Sequence, residues 1–161
     1  MELKDSGARR SFESGAVRDI ADGKGRCDLL PLDVIGKMLG CDILKNIHTY
    51  MSTGDEYYIF KAIHLFIHSI YKSPYNAILE VAKQYEDGAK KYDDRNWEKG
   101  ISMHCYIDSG VRHYLKFMRG DTDEPHDRAF LWNMYGLVWT QWHRPEMNDL
   151  PFNKVSDEVS E

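Results

Sequence analysis

A helix drawn through residues 126–143 is apolar on nearly every side. Phe130, Leu131, Trp132, Met134, Tyr135, Leu137, Val138, Trp139 and Trp142 spread around its circumference, and such a helix is stable only when most of it is covered. Other segments repeat apolar residues at the same helical period. Ile59, Ile63, Phe66, Ile67 and Ile70 mark a helix over about 56–71, and Leu32, Ile35, Leu39, Ile43, Leu44 and Ile47 mark one or two short helices over 32–50. Ser73-Pro74 opens a helix that runs to about Lys91, and Ser102 caps one that runs to Arg119 and stops at Gly120. No strand-type alternation of useful length occurs. The expectation is an all-α helical bundle of about five or six helices. Residues 1–31 read as an irregular Gly/basic N-terminal arm, 32–143 as a single α-helical domain and 144–161 as a flexible polar tail. Covering the helix after Pro125 in so small a domain points to a homo-oligomer.

The formal net charge of −5 argues against general nucleic-acid binding, which depends on neutralising phosphates with Lys and Arg. A small polyanion stays possible, because divalent cations can supply positive charge. Cys27, Cys41 and Cys105 form no Cys-x-x-Cys and are odd in number, which suits reduced thiols in a cytoplasmic protein. The start of the chain has no apolar signal-like run. The apolar stretch Ile59–Tyr71 is too short to span a bilayer and is interrupted by Lys61, His64 and His68, so no membrane partner is expected.

Chemistry concentrates in five places. The block Lys90-Lys91-Tyr92-Asp93-Asp94-Arg95-Asn96-Trp97-Glu98-Lys99-Gly100 joins two helices. Glu86 lies on the flank of the upstream helix's apolar stripe. It is either a boundary residue paired with a lysine or a partly desolvated metal ligand. Asp108 lies at the border of the downstream helix. It either forms an i,i+4 pair with Arg112 or holds a metal whose phosphate ligands meet Arg112, His113 and Lys116. His126 and Asn133 share one face two turns apart among core residues, as satisfied core groups or as ligands. In the arm, glycines beside Lys24 and Arg26 either let the backbone approach phosphates or only make a flexible basic segment. Trp97 either stacks on a base or packs onto its own domain. A P-loop is excluded, since no Gly-x-x-x-x-Gly-Lys-Ser/Thr occurs. Ser/His/Asp and Cys/His nucleophile arrangements have no support.

Several stretches in order resemble a known family: Phe12-Glu13-Ser14-Gly15-Ala16-Val17-Arg18-Asp19, Gly23-Lys24-Gly25-Arg26-Cys27-Asp28-Leu29-Leu30-Pro31, Glu86-Asp87-Gly88-Ala89-Lys90-Lys91-Tyr92, Asp94-Arg95-Asn96-Trp97-Glu98-Lys99-Gly100, Tyr106-Ile107-Asp108-Ser109-Gly110-Val111-Arg112-His113 and Asp123-Glu124-Pro125-His126 leading to Trp132-Asn133. The order is similar to the phage-associated dATP/dGTP diphosphohydrolases, the MazG-like group called MazZ. Relative to shorter members, 33–75 looks like an insertion. The resemblance implies a MazG-like α-helical hydrolase that cuts purine deoxynucleoside triphosphates (dGTP or dATP) to the monophosphate and pyrophosphate, in the host cytoplasm if phage-encoded. It implies Mg²⁺, with Mn²⁺ as the substitute.

On that basis the metal ligands would be Glu86, Asp108 and His126, and the catalytic groups Glu86, Asp108 and His113. Substrate would meet Lys24, Arg26, Arg95, Asn96, Trp97, Lys99, Arg112, Lys116 and Asn133. The wider superfamily uses a Glu-x-x-Glu and Glu-x-x-Asp quartet. Here Lys83 stands three before Glu86 and Val111 three after Asp108. Either His113, His126 or Asp127 would then complete the site, or the metal would be held differently. The alternative is a non-catalytic helical module that senses a nucleotide or acts as a scaffold.

Overall fold

The computed structural model describes residues 7–158. Its helices are α1 (Leu32–Leu39), α2 (Asp42–Thr53), α3 (Glu56–Ile70), α4 (Pro74–Lys91), α5 (Met103–Arg119), α6 (His126–His143) and α7 (Pro151–Glu158). An all-α bundle is what the apolar periodicity demands. Asp55 and Ser73 cap α3 and α4 by accepting from the amides of Tyr57 and Asn76. Gly40 and Gly120 close α1 and α5 in the left-handed conformation, with φ of 63° and 91°, as their sequence positions predict. Ser102 departs from expectation. It sits at the N-terminus of α5, but its hydroxyl makes no capping bond. The amide of His104 donates instead to Asp149 Oδ1 at 2.9 Å, and the His104 ring also bonds to Asp149.

That contact is one reason residues 145–154 do not form the loose tail their polarity suggests. Leu150 is buried, and Phe152 packs edge-on to Tyr50 with ring centroids 6.0 Å apart. Two well-placed apolar residues and one carboxylate dock a segment that is polar on average. The parts of the arm before residue 7 and of the tail after 158 lie outside the described residues.

α5 and α6 form the centre. They approach closely because two glycines face large side chains across the interface: Gly110 faces Met134, and Gly136 faces the ring of Tyr106. Phe66 of α3 completes an aromatic cluster with Phe130, Tyr114 and Phe117, its ring centroid 4.6 Å from that of Phe130. Segment 33–75 therefore contributes to the core. Leu44, Ile47, Tyr50, Ile59, Ala62, Ile63, Phe66 and Ile67 are all buried. Tyr50 Oη donates to Gln141 of α6, and Gln141 donates to the carbonyl of Gly54. These helices cover much of α6 within one chain, and of its tryptophans only Trp142 is mainly exposed, at 56%. Other exposed apolar side chains include Val34, Met38 and Leu39 of α1 and Tyr75, Ile78 and Leu79 of α4. Among the described residues, no helix is long and apolar enough to cross a membrane.

The arm also differs from expectation. Strands β1 (Arg9–Ser11) and β2 (Val17–Asp19) pair antiparallel, with Arg10 opposite Arg18. Strands of three residues are too short to register as alternation. They exist because their partners lie far along the chain. Asp19 accepts from Lys91 Nζ (2.6 Å) and Tyr92 Oη (2.9 Å) at the end of α4 and pairs with Arg9 at 3.1 Å. The hairpin thus folds back across the bundle.

Candidate active site

Between the hairpin, the end of α4, the 93–97 loop, α5 and the start of α6 lies a cavity of about 740 Å³, within the usual range for small-molecule sites. Its character comes first from Arg18. The β2 strand carries this guanidinium inward over the rings of Tyr106 and Trp132, with Cζ 5.4 and 5.5 Å from their centroids. Arg18 Nη2 donates to Asn133 Oδ1 at 3.0 Å, and Asn133 Nδ2 donates to the carbonyl of Ala129. Burial lowers the pKa of Arg18. Its Nη1 is buried without a hydrogen-bond partner, as are Arg10 Nε and Arg112 Nε. All three arginines line the cavity, together with Lys24, Lys116 and Arg119. A buried N–H of a cation without an acceptor is costly, and an anion in the cavity would relieve that cost.

Asn96 and Asn133 are both buried, and both are engaged by the protein. The Asn96 side chain accepts from the amide of Val17 and donates to its carbonyl, each at 2.9 Å. It acts as one residue of a neighbouring strand and pins β2 to the 93–97 loop. Asn133 orients Arg18. Both amides, which the sequence offered as substrate contacts, spend one oxygen lone pair and one N–H on the protein, because a buried amide takes the nearest backbone or cationic partner. Asn96→Leu is expected to leave the Val17 N–H and C=O unpaired, destabilise the fold by about 2–3 kcal/mol and raise KM more than it lowers kcat. Chemical denaturation and steady-state kinetics check this.

The remaining expected residues divide as follows. Trp97 lines the cavity and packs edge-on against Tyr85 and Trp139, at 5.6 and 4.9 Å between centroids. Lys24, Arg95, Arg112, His113 and Lys116 line it as well. Arg95 is pulled outward to Glu98 at 2.6 Å, its side chain 75% exposed, and Lys99 pairs with Asp93 at 3.1 Å. Arg26 is not a wall residue of this cavity: Asp28 accepts from its Nε and Nη2 at 2.7 and 2.6 Å, and that bond raises its pKa.

Glu86 and Asp108 are not brought together. Glu86 pairs with Lys90 one turn along, at 3.2 Å, with 64% of its side chain exposed, and it does not line the cavity. Asp108 is buried, but it accepts from the Cys27 amide (2.7 Å) and from Arg112 Nη2 (2.6 Å). It ties α5 to the 25–29 loop and borders a separate hollow beside Arg26 and His104. The helical flank position of Glu86 opens to water because no element packs over it. The i,i+4 partner of each carboxylate accounts for it.

Other groups converge where α5 meets α6. His113 Nδ1 lies 2.9 Å from His126 Nδ1, and His126 Nε2 lies 2.8 Å from Asp123 Oδ1. Burial, with the neighbouring His126, pushes the His113 pKa down to about 3, so its imidazole is neutral at physiological pH. The hydrogen bond to His126 holds Asp123 down at about 2. One ligand atom each from His113, Glu124 and His126 lies within 4.8 Å of the others. Asp123 and Glu124 entered the sequence reading only within the Asp123-Glu124-Pro125-His126 block, with no role assigned, and Arg10 and Arg18 only within the N-terminal arm. The signal for Arg18 was its place in the Val17-Arg18-Asp19 block. Asp127, by contrast, accepts from Tyr71 Oη at 2.8 Å, outside this group.

The N-terminal family model of the dATP/dGTP diphosphohydrolases matches residues 61–150, more than half of the 161-residue chain. Neither curated proteins nor solved structures give a match.

Proposed function

Because the chain belongs to the dATP/dGTP diphosphohydrolase family, we propose that its cavity takes a purine deoxynucleoside triphosphate and hydrolyses it to the monophosphate and pyrophosphate. The observation that carries this reading is the set of buried, unpartnered guanidinium N–H groups on Arg10, Arg18 and Arg112 around one cavity. Planar guanidinium groups suit phosphate oxygens better than point charges do. Lys24 and Lys116 add charge at the wall. Tyr85 and Trp97 offer ring faces and edges for a purine.

In the reaction, water oxygen bonds to the α-phosphorus, the α–β anhydride bond breaks, and pyrophosphate leaves with the bond's electron pair. The water's proton passes to a carboxylate of the cavity wall. Negative charge grows on pyrophosphate as it departs, and prepositioned arginines stabilise that charge without reorganising. Arg18 is the most strongly prepositioned, being stacked on two rings and held by Asn133.

A divalent metal would neutralise phosphate charge and polarise the scissile bond. Glu86 and Asp108 do not fit one together, since each faces different surroundings and Asp108 is already held by a cation and an amide. No step is routed through a metal at that pair.

The test incubates the purified full chain with each deoxynucleoside triphosphate and a divalent cation. Release of pyrophosphate with dGTP or dATP, and little with the pyrimidine nucleotides, is the expected result. Saturable binding without product would make the chain a nucleotide sensor and overturn the reading.

A further inference from the structure

We infer that the divalent cation of this protein is held by His113, Glu124 and His126, and that the ion is a first-row transition metal rather than Mg²⁺. The inference deepens the proposed hydrolysis and rests on it for the metal's role, but not for the site.

The geometry of the two rings carries the argument. Two Nδ1 atoms face each other at 2.9 Å. A neutral imidazole bears one N–H and one lone pair. Asp123 faces His126 Nε2 at 2.8 Å, so in the neutral form that a metal ligand requires, that nitrogen carries the proton and Nδ1 of His126 presents the lone pair. A carboxylate that fixes the far N–H of a ligating histidine is the standard second-layer support of a metal site. Asp123 is therefore a positioning residue, and His126 points its lone pair away from it, toward His113. His126 is almost fully buried, which leaves its ring little freedom to turn away.

His113 can meet a metal with Nδ1 by carrying its own proton on Nε2. A modest opening of the 2.9 Å gap separates the two nitrogens enough for one ion to bridge them, given metal–nitrogen bonds of about 2.0–2.1 Å. Glu124 supplies the third donor within reach of both rings. Of these residues, His113 and Glu124 line the cavity with Arg18 and Arg112, so the remaining coordination positions can be taken by phosphate oxygens or water.

Donor chemistry then selects the ion. Mg²⁺ binds oxygen and keeps its waters. Two imidazoles and one carboxylate suit Mn²⁺, Fe²⁺, Co²⁺ or Zn²⁺. This site also accounts for the departure from an all-carboxylate quartet, because the position three after Asp108 is Val111 and cannot ligate.

The experiment titrates the metal-free full chain with Co²⁺ in the absence of nucleotide and records visible ligand-field absorption, with calorimetry for Co²⁺, Mn²⁺ and Mg²⁺. One Co²⁺ per chain, with affinity well above that for Mg²⁺, is expected. His126→Gln and His113→Gln should abolish the spectrum, and Asp123→Asn should weaken binding by about 10- to 100-fold. Glu86→Gln should leave it unchanged. Circular dichroism identifies any variant that fails to fold, and Asp123→Asn, on the exposed side of the cluster, keeps the test usable if a histidine variant does. Retention of the spectrum in folded His126→Gln, its loss in Glu86→Gln, or a preference for Mg²⁺ would overturn the assignment. Pyrophosphate release is scored separately: Co²⁺ bound here without product sinks the hydrolase reading alone, and product with metal at Glu86 sinks this site alone.

Discussion

Arg18→Met is expected to lower pyrophosphate release from dGTP and dATP by about 100- to 1,000-fold, mostly in kcat. The residue lines the cavity with one N–H unpartnered, while Tyr106 and Trp132 fix its plane and Asn133 fixes one edge. In the proposed reaction the additional negative charge on the leaving pyrophosphate develops only as the α–β bond breaks. A rigid donor aimed at it therefore acts on the transition state more than on binding. Arg18→Lys should recover little, because an ammonium neither stacks as a plane nor donates through a fork. The fold should survive: exchanging a buried cation for an apolar side chain of similar volume is often neutral or stabilising. A thermal melt at or above that of the parent, alongside near-absent turnover, is the predicted pair of results. Near-normal kcat in a folded Arg18→Met would remove Arg18 from the mechanism.

Gly136→Val is expected to be the most damaging small substitution for the fold, at about 3 kcal/mol or more. A Cβ at Gly136 would lie 2.4 Å from Tyr106 Cε1 and 2.9 Å from Cζ. Tyr106 is fully buried, with no room to retreat. Alanine would bring back about 1 kcal/mol of helix propensity, yet the same collision remains, so Gly136→Ala should also destabilise. Since Tyr106 is one of the two rings beneath Arg18, activity should fall in folded molecules too. Gly88 in α4 is the control. A Cβ there meets nothing within 4 Å, so Gly88→Ala should stabilise by about 0.5–1 kcal/mol. Denaturant melts of the three variants decide the matter. A Gly136→Ala as stable as the parent would mean that α5 and α6 can separate without cost.

Much of the fold was legible because its signals are local. A run of apolar residues at helical period, a serine or aspartate before it and a glycine after it act within a few residues, and those signals delivered α3, α4, α5 and α6 close to where the pattern predicted. The block around residues 94–100 also proved to border the cavity, through Arg95, Asn96 and Trp97. The hairpin and the docked C-terminal segment were not legible. Each depends on a few contacts made across the chain, such as Asp19 with Lys91 and Asp149 with His104, that leave no periodic trace.

Sequence by itself determined the helical class, the main helix boundaries and the family, since these follow from local propensity, spacing and motif order. Tertiary structure alone decided which polar groups face the cavity with bonding capacity to spare. Asn96 is held by Val17 79 residues away, Asp108 by Cys27 81 residues away, and Arg18 by Asn133 115 residues away. A side chain's capacity for chemistry depends on whether its hydrogen bonds are already made, and those partners are assembled by folding rather than by sequence neighbourhood.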